Sequence, residues 1–385
     1  MITRRRQVRL QGLLVVGLLA IAVFFHLVWL GALDVWRIDR DWRGFFHAGE
    51  LLLAGERAAI YLPRAEGEYP AAFVYPPPML WPFMGLAWLG APTAYATITA
   101  TSVLLLVLIL RWLRELLDAP TRTTLLIALV TVASAPWMTM LFVGQLSMVA
   151  TALFVFGFVA WQRGHEFSAG IAFGAMLCKP TLAFAAPLLA LLRGRWRILQ
   201  GLAATAAVLV VVSLPLGVDL WGDWLGATAT LSARLRDHTM LWKHTTLYAF
   251  WRSALGAGVE TSLVRAVWWS GAVLLVSLPC ILVLRRPQLP ISRLMTLAAL
   301  LTVTVTPYLF YYDQLLLLPA GAAWYLGRAN YQRSRCWHLA GGALAASCLA
   351  HYASLYVARD LPPLAGLCNT VWFGAELWDV SASKA

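Results

Sequence analysis

The sequence predicts an all-α, polytopic membrane protein, and its composition and its long apolar segments carry that prediction. Its 385 residues are 61% hydrophobic and only 12% charged, with a mean hydropathy of +0.71. A soluble globular chain averages roughly half apolar and a quarter charged residues. The apolar segments are too continuous for a transmembrane barrel, whose strands are about ten residues of alternating polarity. At about 20 residues per helix, the length allows roughly eight to twelve spans, and we expect about ten.

The net charge of +12 is explained by cytoplasmic loops rich in arginine rather than by a nucleic-acid partner. No basic run is long enough for a nucleic-acid-binding arm. The five cysteines show no paired spacing, so neither a disulfide framework nor a zinc site is indicated. The chain also lacks a phosphate-binding glycine loop, a dinucleotide fingerprint and an HExxH motif. We therefore expect no nucleotide-driven chemistry and no cofactor.

The N-terminal third predicts a membrane helix followed by an acidic external loop. Residues 10–33 are apolar, follow four arginines and lack a cleavage site, so we expect a retained helix with a cytoplasmic N terminus. Residues 34–75 then form the first external loop, which carries seven of the 18 acidic residues. Within it, helical spacing of apolar residues predicts an amphipathic helix on the membrane surface from Trp42 to Ala54, ended by Gly55. Those apolar residues are Phe45, Phe46, Gly49, Leu52 and Leu53.

The rest of the chain is predicted as a series of spans within one transmembrane domain, 1–385. Residues 79–90 follow a run of three prolines and are too short for a comfortable span, so a short helix is expected there. Residues 167–192 have basic residues at both ends and Lys179-Pro180 at their centre, which favours a broken hairpin that re-enters from the cytoplasmic side. A second large external loop is predicted at 218–260. Further spans are predicted at 94–113, 124–142, 146–162, 198–217, 262–284, 294–311, 314–327 and 338–357.

Asp41 is the candidate catalytic residue. It follows the first predicted helix, at the outer face of the membrane. An ionisable residue is costly to bury there, so one that is present is a functional candidate. A carboxylate there could act as a general base for an acceptor hydroxyl. Asp39 is the alternative carboxylate, and Asp41 could instead only cap the surface helix. Arg43, two residues further on, is a candidate substrate contact.

Cations elsewhere are candidate phosphate contacts. Lys179 is the only lysine in the apolar body, and it could pair with a lipid phosphate or extend to the membrane interface at the helix break. The second loop carries several donors that could together hold an anion, although each is equally explained as a residue of a solvated loop. These donors are Arg234, Arg236, His238, Lys243 and His244.

Polar and aromatic residues at the predicted outer ends of spans complete the candidate substrate-binding set. Gln145 could contact substrate or cap a helix end. Asp313 lies beside Tyr312 in an aromatic segment, which favours a function for both. Tyr75 could stack on a sugar ring, although most aromatic residues here belong to the interfacial belts.

Short motifs in a fixed order extend over most of the chain. They are Asp41-Trp-Arg-Gly-Phe-Phe-His-Ala-Gly, Leu53-Ala-Gly-Glu-Arg-Ala-Ala-Ile-Tyr61, Phe73-Val-Tyr-Pro-Pro-Pro78, Val143-Gly-Gln145, Ala169-Gly-Ile with Lys179-Pro180, Arg193-Gly-Arg-Trp196 and Thr306-Pro-Tyr-Leu-Phe-Tyr-Tyr-Asp313. Each is weak alone, but the ordered series is fairly specific. It resembles family 87 of the glycosyltransferases, the polyprenol-phosphate-mannose-dependent group.

The resemblance implies the C-type glycosyltransferase fold and a lipid-linked sugar donor. Asp41 would deprotonate an acceptor hydroxyl, which attacks the anomeric carbon of a polyprenyl-phosphate hexose, with mannose the expected sugar, and inverts that carbon. The lipid phosphate would leave, stabilised by nearby cations. Some members of the family have a His-Tyr pair where this chain has Tyr311-Tyr312-Asp313, so the phosphate contacts depart from that pattern.

The same resemblance sets the expected partners and location. The partners are a polyprenyl-phosphate sugar, membrane lipids and an acceptor that could be a glycolipid, a polysaccharide or a protein. We expect a multi-pass protein of the bacterial inner (plasma) membrane with an extracytoplasmic active site. Because Asp39 and Asp41 are the only two aspartates that lie close together in the first loop, we expect no metal, which EDTA treatment of an active preparation would test.

Two other classes of protein remain open. Transporters and lipid flippases also have broken helices and charged residues within a helical bundle. Against that class, the chain has no visible inverted repeat, and its acidic residues gather in an external loop. A non-enzymatic assembly scaffold would tolerate the isosteric amides at Asp41 and Asp313.

Overall fold

The computed structural model describes most of the chain, and every regular element in that part is helical. This confirms the predicted all-α class for the described residues. The predicted first helix, Asp39, Arg236 and His238 lie outside them. The structure describes residues 41–62, 73–234, 241, 243–255, 261–326, 335–356 and 363–382.

The described helices range from 8 to 26 residues in length. In chain order they are α1 (Asp41–Leu53), α2 (Leu80–Trp88), α3 (Ala91–Leu116), α4 (Thr121–Val132), α5 (Ala135–Val143), α6 (Ser147–Gln162), α7 (Glu166–Ala175), α8 (Ala185–Leu192), α9 (Trp196–Ser213), α10 (Asp219–Arg234), α11 (Leu247–Leu255), α12 (Thr261–Arg285), α13 (Ile291–Val305), α14 (Leu318–Leu326), α15 (Arg335–Tyr356) and α16 (Leu364–Ala382). Short 3-10 turns join several of them, the longest at Tyr311–Leu317.

Several helices have the length and composition of membrane spans. In the described part, three helical segments are long and apolar enough to cross a membrane, namely Ala91–Leu116, Trp196–Leu216 and Ser262–Arg285. Helices α4 and α5 would together make a fourth, bent by 57°. Helices α6 and α13 are apolar but shorter. These helices fit a polytopic membrane protein, and the total of about ten spans stays a prediction.

Residues 167–192 form the broken hairpin that the sequence predicts. Helix α7 gives way to 3-10 turns on either side of Lys179, and α8 returns along the bundle. The guanidinium of Arg195, just beyond α8, donates to the carboxylate of Glu166 at the start of α7 over 3.0 Å. The two ends of the segment therefore meet, and Lys179 lies at the tip between them.

Helices α7 and α9 approach each other through two glycines. A Cβ atom at Gly170 would lie 2.0 Å from the carbonyl oxygen of Ile198. A Cβ atom at Gly201 would lie 2.2 Å from the carbonyl oxygen of Phe167. Such small residues let membrane helices pack backbone to backbone. The hairpin is thus held against α9 by close backbone contact.

The Gly170→Ala substitution is expected to destabilise the protein by about 1–3 kcal/mol, because the added methyl group must push α9 away from the hairpin. A lower thermal unfolding midpoint in detergent would measure this loss. Gly271→Ala in α12 is the matched control, since a Cβ atom there would meet no neighbour within 4 Å. Equal midpoints for the two variants would contradict the packing.

The main apolar core surrounds α13, which is buried on every side from Leu294 to Thr304. Helices α6, α8 and α16 pack around it. Its buried threonines, Thr296, Thr302 and Thr304, each donate to the backbone oxygen four residues earlier, so their hydroxyls are satisfied within the helix. The 3-10 turn Tyr311–Leu317, which follows the C-terminal end of α13, contacts α5 and α6 near the turn that joins them.

A second cluster contains α1 and α2. The predicted range of α1 is confirmed to within a residue at each end, and Gly55 follows it with a φ of 78°. Its apolar face packs on α2, so closely that a Cβ atom at Gly49 would lie 2.2 Å from the carbonyl oxygen of Phe83. The apolar face of α1, which was predicted to lie on the membrane, therefore packs against α2. Leu53 was wrongly included in that face, because it is 51% exposed.

Two predicted spans have different bounds in the structure. The predicted span at 124–142 is not one straight helix, because Ser134 caps a new helix whose first turn contains Pro136, and the two helices together make the span that is bent by 57°. The prediction at 294–311 extends six residues too far, because Thr306 precedes a proline and adopts an extended conformation. Both breaks come from proline, and both lie near the candidate site.

The described part of the segment 218–260 is largely helical, where the sequence predicts an external loop. It contains α10, which begins at Asp219 after Gly217, and α11, which ends at Leu255. Helix α16 was not predicted at all. It packs along α15 and against α13, with Trp372 and Phe373 fully buried.

Candidate active site

Asp41 lies in the first turn of α1, against the turn between α5 and α6. That turn contains Gly144, whose φ of 69° is in the left-handed region. A Cβ atom at Gly144 would lie 2.5 Å from the Cβ atom of Trp42. Glycine is therefore required both by the turn and by the close approach of α1. The result is that Asp41 and Gln145, 104 residues apart, are in contact.

The Asp41 carboxylate accepts hydrogen bonds from two side chains. The amide of Gln145 donates to Oδ2, and so does the hydroxyl of Tyr312, over 3.2 Å. The Tyr75 hydroxyl in turn donates to Oε1 of Gln145 over 2.8 Å, which fixes the orientation of the amide. Both bonds reach Oδ2, and among the described residues no side chain donates to Oδ1. The described side chains thus fix Oδ2 of the carboxylate.

Burial raises the pKa of Asp41 above its ordinary value of 3.8. The hydrogen bonds from Gln145 and Tyr312 oppose this shift, as do the positive charges of Lys179 and Lys243. Removal from water disfavours the charged carboxylate, and this effect outweighs the other four. A carboxylate with a raised pKa is a stronger base than an exposed aspartate, which suits it to remove a proton.

Tyr75 keeps its proton because burial raises its pKa well above 10.0. Its ring is 5% exposed and lies 5.0 Å from the ring of Phe45 on α1, in an edge-to-face arrangement. The hydroxyl of Tyr61 donates to the backbone oxygen of Tyr75 over 2.8 Å. These contacts hold Tyr75 as a hydrogen-bond donor to Gln145. The buried ring has little surface for the stacking on a sugar that the sequence predicted.

Lys179 lies next to this carboxylate network. Its ammonium forms an ion pair with Asp313 and donates to the hydroxyl of Ser147 over 3.2 Å. The Ser147 hydroxyl donates to Oδ1 of Asp313 over 2.7 Å. The ammonium also lies 4.9 Å from the centroid of the Tyr312 ring, within the range of a cation–π contact. Tyr312 therefore links the charged group of Lys179 to Asp41.

The helix break in the hairpin brings Lys179 to this position. Lys179 has a φ of −134° and a ψ of 77°, which end the first 3-10 turn before Pro180. The hydroxyl of Thr306, at the end of α13, donates to the backbone oxygen of Thr181 over 3.0 Å. The tip of the hairpin is thus fixed to the segment that leads to Tyr312 and Asp313.

The second loop contributes Lys243 to the surroundings of Asp41, where its charge lowers the pKa of the carboxylate. His244 is buried, and its ring lies 4.7 Å from that of Phe310. Burial lowers the pKa of His244 to about 4, so it is neutral at physiological pH. His244 is therefore neither solvated nor positively charged.

The structure thus brings together Asp41, Tyr75, Gln145, Lys179, Tyr312 and Asp313 from five separate segments of chain. Arg43 lies outside this group, with its guanidinium 5.7 Å from the ring centroid of Trp42. Arg234 ends α10. Substrate-binding roles for these residues stay predictions.

Ser147 is the site residue that sequence reasoning missed. It is 1% exposed at the start of α6 and contacts both charged groups of the ion pair. A serine at the start of an apolar helix gives no specific signal, since its usual role is to satisfy backbone groups there. Ser147 lies two residues beyond Gln145, and only the fold shows that it contacts Asp313.

A cavity in the described part of the chain lies elsewhere. It has a volume of about 420 Å³ and is lined by Asp118, Arg293, Glu376 and Asp379 among others. Arg293 lies near the start of α13, whereas Asp41 and its partners lie beyond the other end of that helix. The cavity holds none of the predicted site residues.

Asp41 and Lys179 thus bring a carboxylate and an ammonium group close together among apolar helices. The chain belongs to glycosyltransferase family 87, whose model matches residues 73–307. The matched region includes Tyr75, Gln145 and Lys179, and it begins after Asp41 and ends before Asp313. No curated protein matches the chain.

Proposed function

We propose that this glycosyltransferase moves a hexose, with mannose the expected sugar, from a polyprenyl-phosphate donor to an acceptor hydroxyl. The observation that carries the proposal is the Asp41 carboxylate, whose Oδ2 is held by Gln145 and Tyr312 while a lysine lies beside it. The carboxylate supplies a base, and the lysine supplies a positive charge for a phosphate.

The proposed reaction is a single displacement at the anomeric carbon. Asp41 accepts the proton of the acceptor hydroxyl at Oδ1 as the acceptor oxygen bonds to that carbon. The bond from the anomeric carbon to the phosphate oxygen breaks, and polyprenyl phosphate leaves with the bonding electrons. Lys179 stabilises the charge that develops on the phosphate. Among the described site residues Asp313 is already paired with Lys179, so Asp41 acts alone as the base, and direct displacement inverts the sugar.

The distribution of cations supports an extracytoplasmic site. Arg195 and Arg163 lie at the base of the hairpin, where each pairs with a glutamate, and Arg193 donates to backbone oxygens of the turn after α12. Lys179 lies at the opposite end, beside Asp41. Arginine-rich loops favour the cytoplasm, so the hairpin base is proposed to be cytoplasmic and Asp41 external. The proposal includes a bundle of about ten spans in a bacterial plasma membrane.

A lipid donor is supported by the apolar surface of the protein. Large apolar side chains are exposed along α9 and α12, including Val211 at 62% and Leu274 at 64%. Such faces suit a lipid environment, from which a polyprenyl chain could reach the site. Metal independence also belongs to the proposal. Within the described ranges, no group of three or more acidic, histidine or cysteine residues could hold an ion.

The test is transfer by the purified native protein in proteoliposomes with a membrane extract as acceptor. Radiolabelled polyprenyl-phosphate hexoses and nucleotide sugars would be compared as donors. We expect transfer from a polyprenyl-phosphate hexose, mannose first, and none from nucleotide sugars. Transfer from nucleotide sugars alone would contradict the proposed donor. No transfer from any donor would favour a transporter, which lipid-flipping assays would then examine.

The pH dependence of transfer follows from the environment of Asp41. The base acts in its ionised form, so activity should rise with pH as Asp41 loses its proton, and burial places this limb above 3.8. In Gln145→Leu the carboxylate loses a stabilising hydrogen bond, so the limb should move to higher pH. The measurement is kcat/KM for the donor against pH. An unmoved limb in the variant would contradict the assignment.

A further inference from the structure

The ion pair between Lys179 and Asp313 is deeply buried and has a third member. The side chains of Lys179 and Asp313 are 13% and 3% exposed. Ser147 contacts both, since its hydroxyl donates to Asp313 Oδ1 and accepts from the lysine ammonium. Both donors reach the same carboxylate oxygen. Without substrate, the charge of the lysine is therefore neutralised by the protein itself.

This arrangement conflicts with simple phosphate binding by Lys179. An ammonium has three donors, and Asp313 and Ser147 occupy two of them. A phosphate that approaches the lysine also approaches the Asp313 carboxylate and is repelled by it. The phosphate and Asp313 must therefore compete for the same cation.

We propose that Asp313 is an internal anion that competes with the lipid phosphate for Lys179 and promotes release of the polyprenyl phosphate product, with Ser147 as the residue that positions its carboxylate. This inference rests on the proposed function, because it assumes a polyprenyl-phosphate donor. In this account Asp313 acts through Lys179 and does not contact the sugar.

The donor and the product differ in charge, so competition with Asp313 affects release of the product in particular. The sugar donor is a phosphodiester with one negative charge, whereas the released phosphomonoester carries roughly 1.5 to 2 charges at pH 7. The product would bind an unopposed lysine more tightly than the donor does. A carboxylate that returns to Lys179 lowers the affinity for both, and it keeps the doubly charged product from remaining in the site.

The test measures binding of a short-chain polyprenyl phosphate to the full chain in nanodiscs, with the corresponding polyprenol as the uncharged probe. Asp313→Asn removes the competing charge and should bind the phosphate about ten-fold more tightly, with polyprenol binding unchanged. Ser147→Ala removes a hydrogen bond to the Asp313 carboxylate but leaves its charge. We therefore expect a smaller gain in phosphate affinity, of about two- to three-fold. Lys179→Gln should abolish the gain when combined with Asp313→Asn.

Weaker or unchanged phosphate binding in both Asp313→Asn and Ser147→Ala would overturn the inference. A persistent gain in the background of Lys179→Gln would also overturn it. The native protein separates this inference from the proposed function. If native protein binds polyprenyl phosphate no better than polyprenol, the proposed donor is wrong. If it prefers the phosphate and Asp313→Asn adds nothing, only the role of Asp313 is wrong.

Discussion

The Asp41→Asn variant is expected to lose sugar transfer by about 10²- to 10⁴-fold while it keeps its fold, because the amide cannot accept the proton of the acceptor hydroxyl. Asparagine has the same shape as aspartate, and its carbonyl oxygen can still accept from Tyr312. Donor binding should change little, since the phosphate contacts lie on Lys179. The measurement is kcat and KM with a radiolabelled donor, together with the thermal unfolding midpoint.

Glu50→Gln is the matched control for this substitution. Glu50 lies on the same helix and is exposed, with Oε2 at 3.4 Å from Nδ1 of His47. The variant removes one negative charge from α1 without touching Gln145 or Tyr312, so transfer should stay at the native level. If Asp41→Asn instead transfers as well as Glu50→Gln, Asp41 only supports the start of the helix.

The Lys179→Met variant is expected to lose about 3–5 kcal/mol of stability, because it leaves the buried Asp313 carboxylate without its counter-charge. It should also lose most transfer, since the leaving phosphate is no longer stabilised. The free energy of unfolding in detergent and the transfer rate measure the two effects separately. Adding Asp313→Asn to Lys179→Met removes the orphaned charge and should recover much of the stability but not the transfer.

An exposed ion pair provides the comparison for this loss. Arg163 pairs with Glu115, and the two side chains are 46% and 47% exposed. Because water screens such a pair, Arg163→Met should cost no more than about 1 kcal/mol. Equal losses for Arg163→Met and Lys179→Met would show that the buried pair has no special role in stability.

Local features of the fold could be predicted from the sequence. The range of α1 followed from apolar residues at helical spacing and from Gly55, both of which act within a few residues. The break at Lys179-Pro180 followed from proline chemistry and from the basic residues at both ends of the hairpin. Where such signals were weak, the prediction failed. The bend before Pro136 was missed because Ser134 and Pro136 lie within an apolar stretch that is long enough for one span.

The contacts within the site could not be predicted, because they depend on packing between distant segments. Gln145 contacts a carboxylate 104 residues away, and Ser147 contacts one 166 residues away. No periodicity in a single sequence encodes such pairs. Gln145 could be named as a candidate from its position, but its role as the link between Tyr75 and Asp41 required the structure. The burial of His244 likewise depends on Phe310, which lies far away in the sequence.

The account depends on a direct displacement assisted by one carboxylate, and the anomeric configuration of the transferred sugar tests it most directly. Nuclear magnetic resonance of the product, made from a donor of known configuration, would give this result. The account predicts that the configuration at the anomeric carbon is inverted. A retained configuration would contradict it, because retention by double displacement requires a carboxylate that acts as nucleophile on the sugar, whereas the account gives Asp41 only the role of a base.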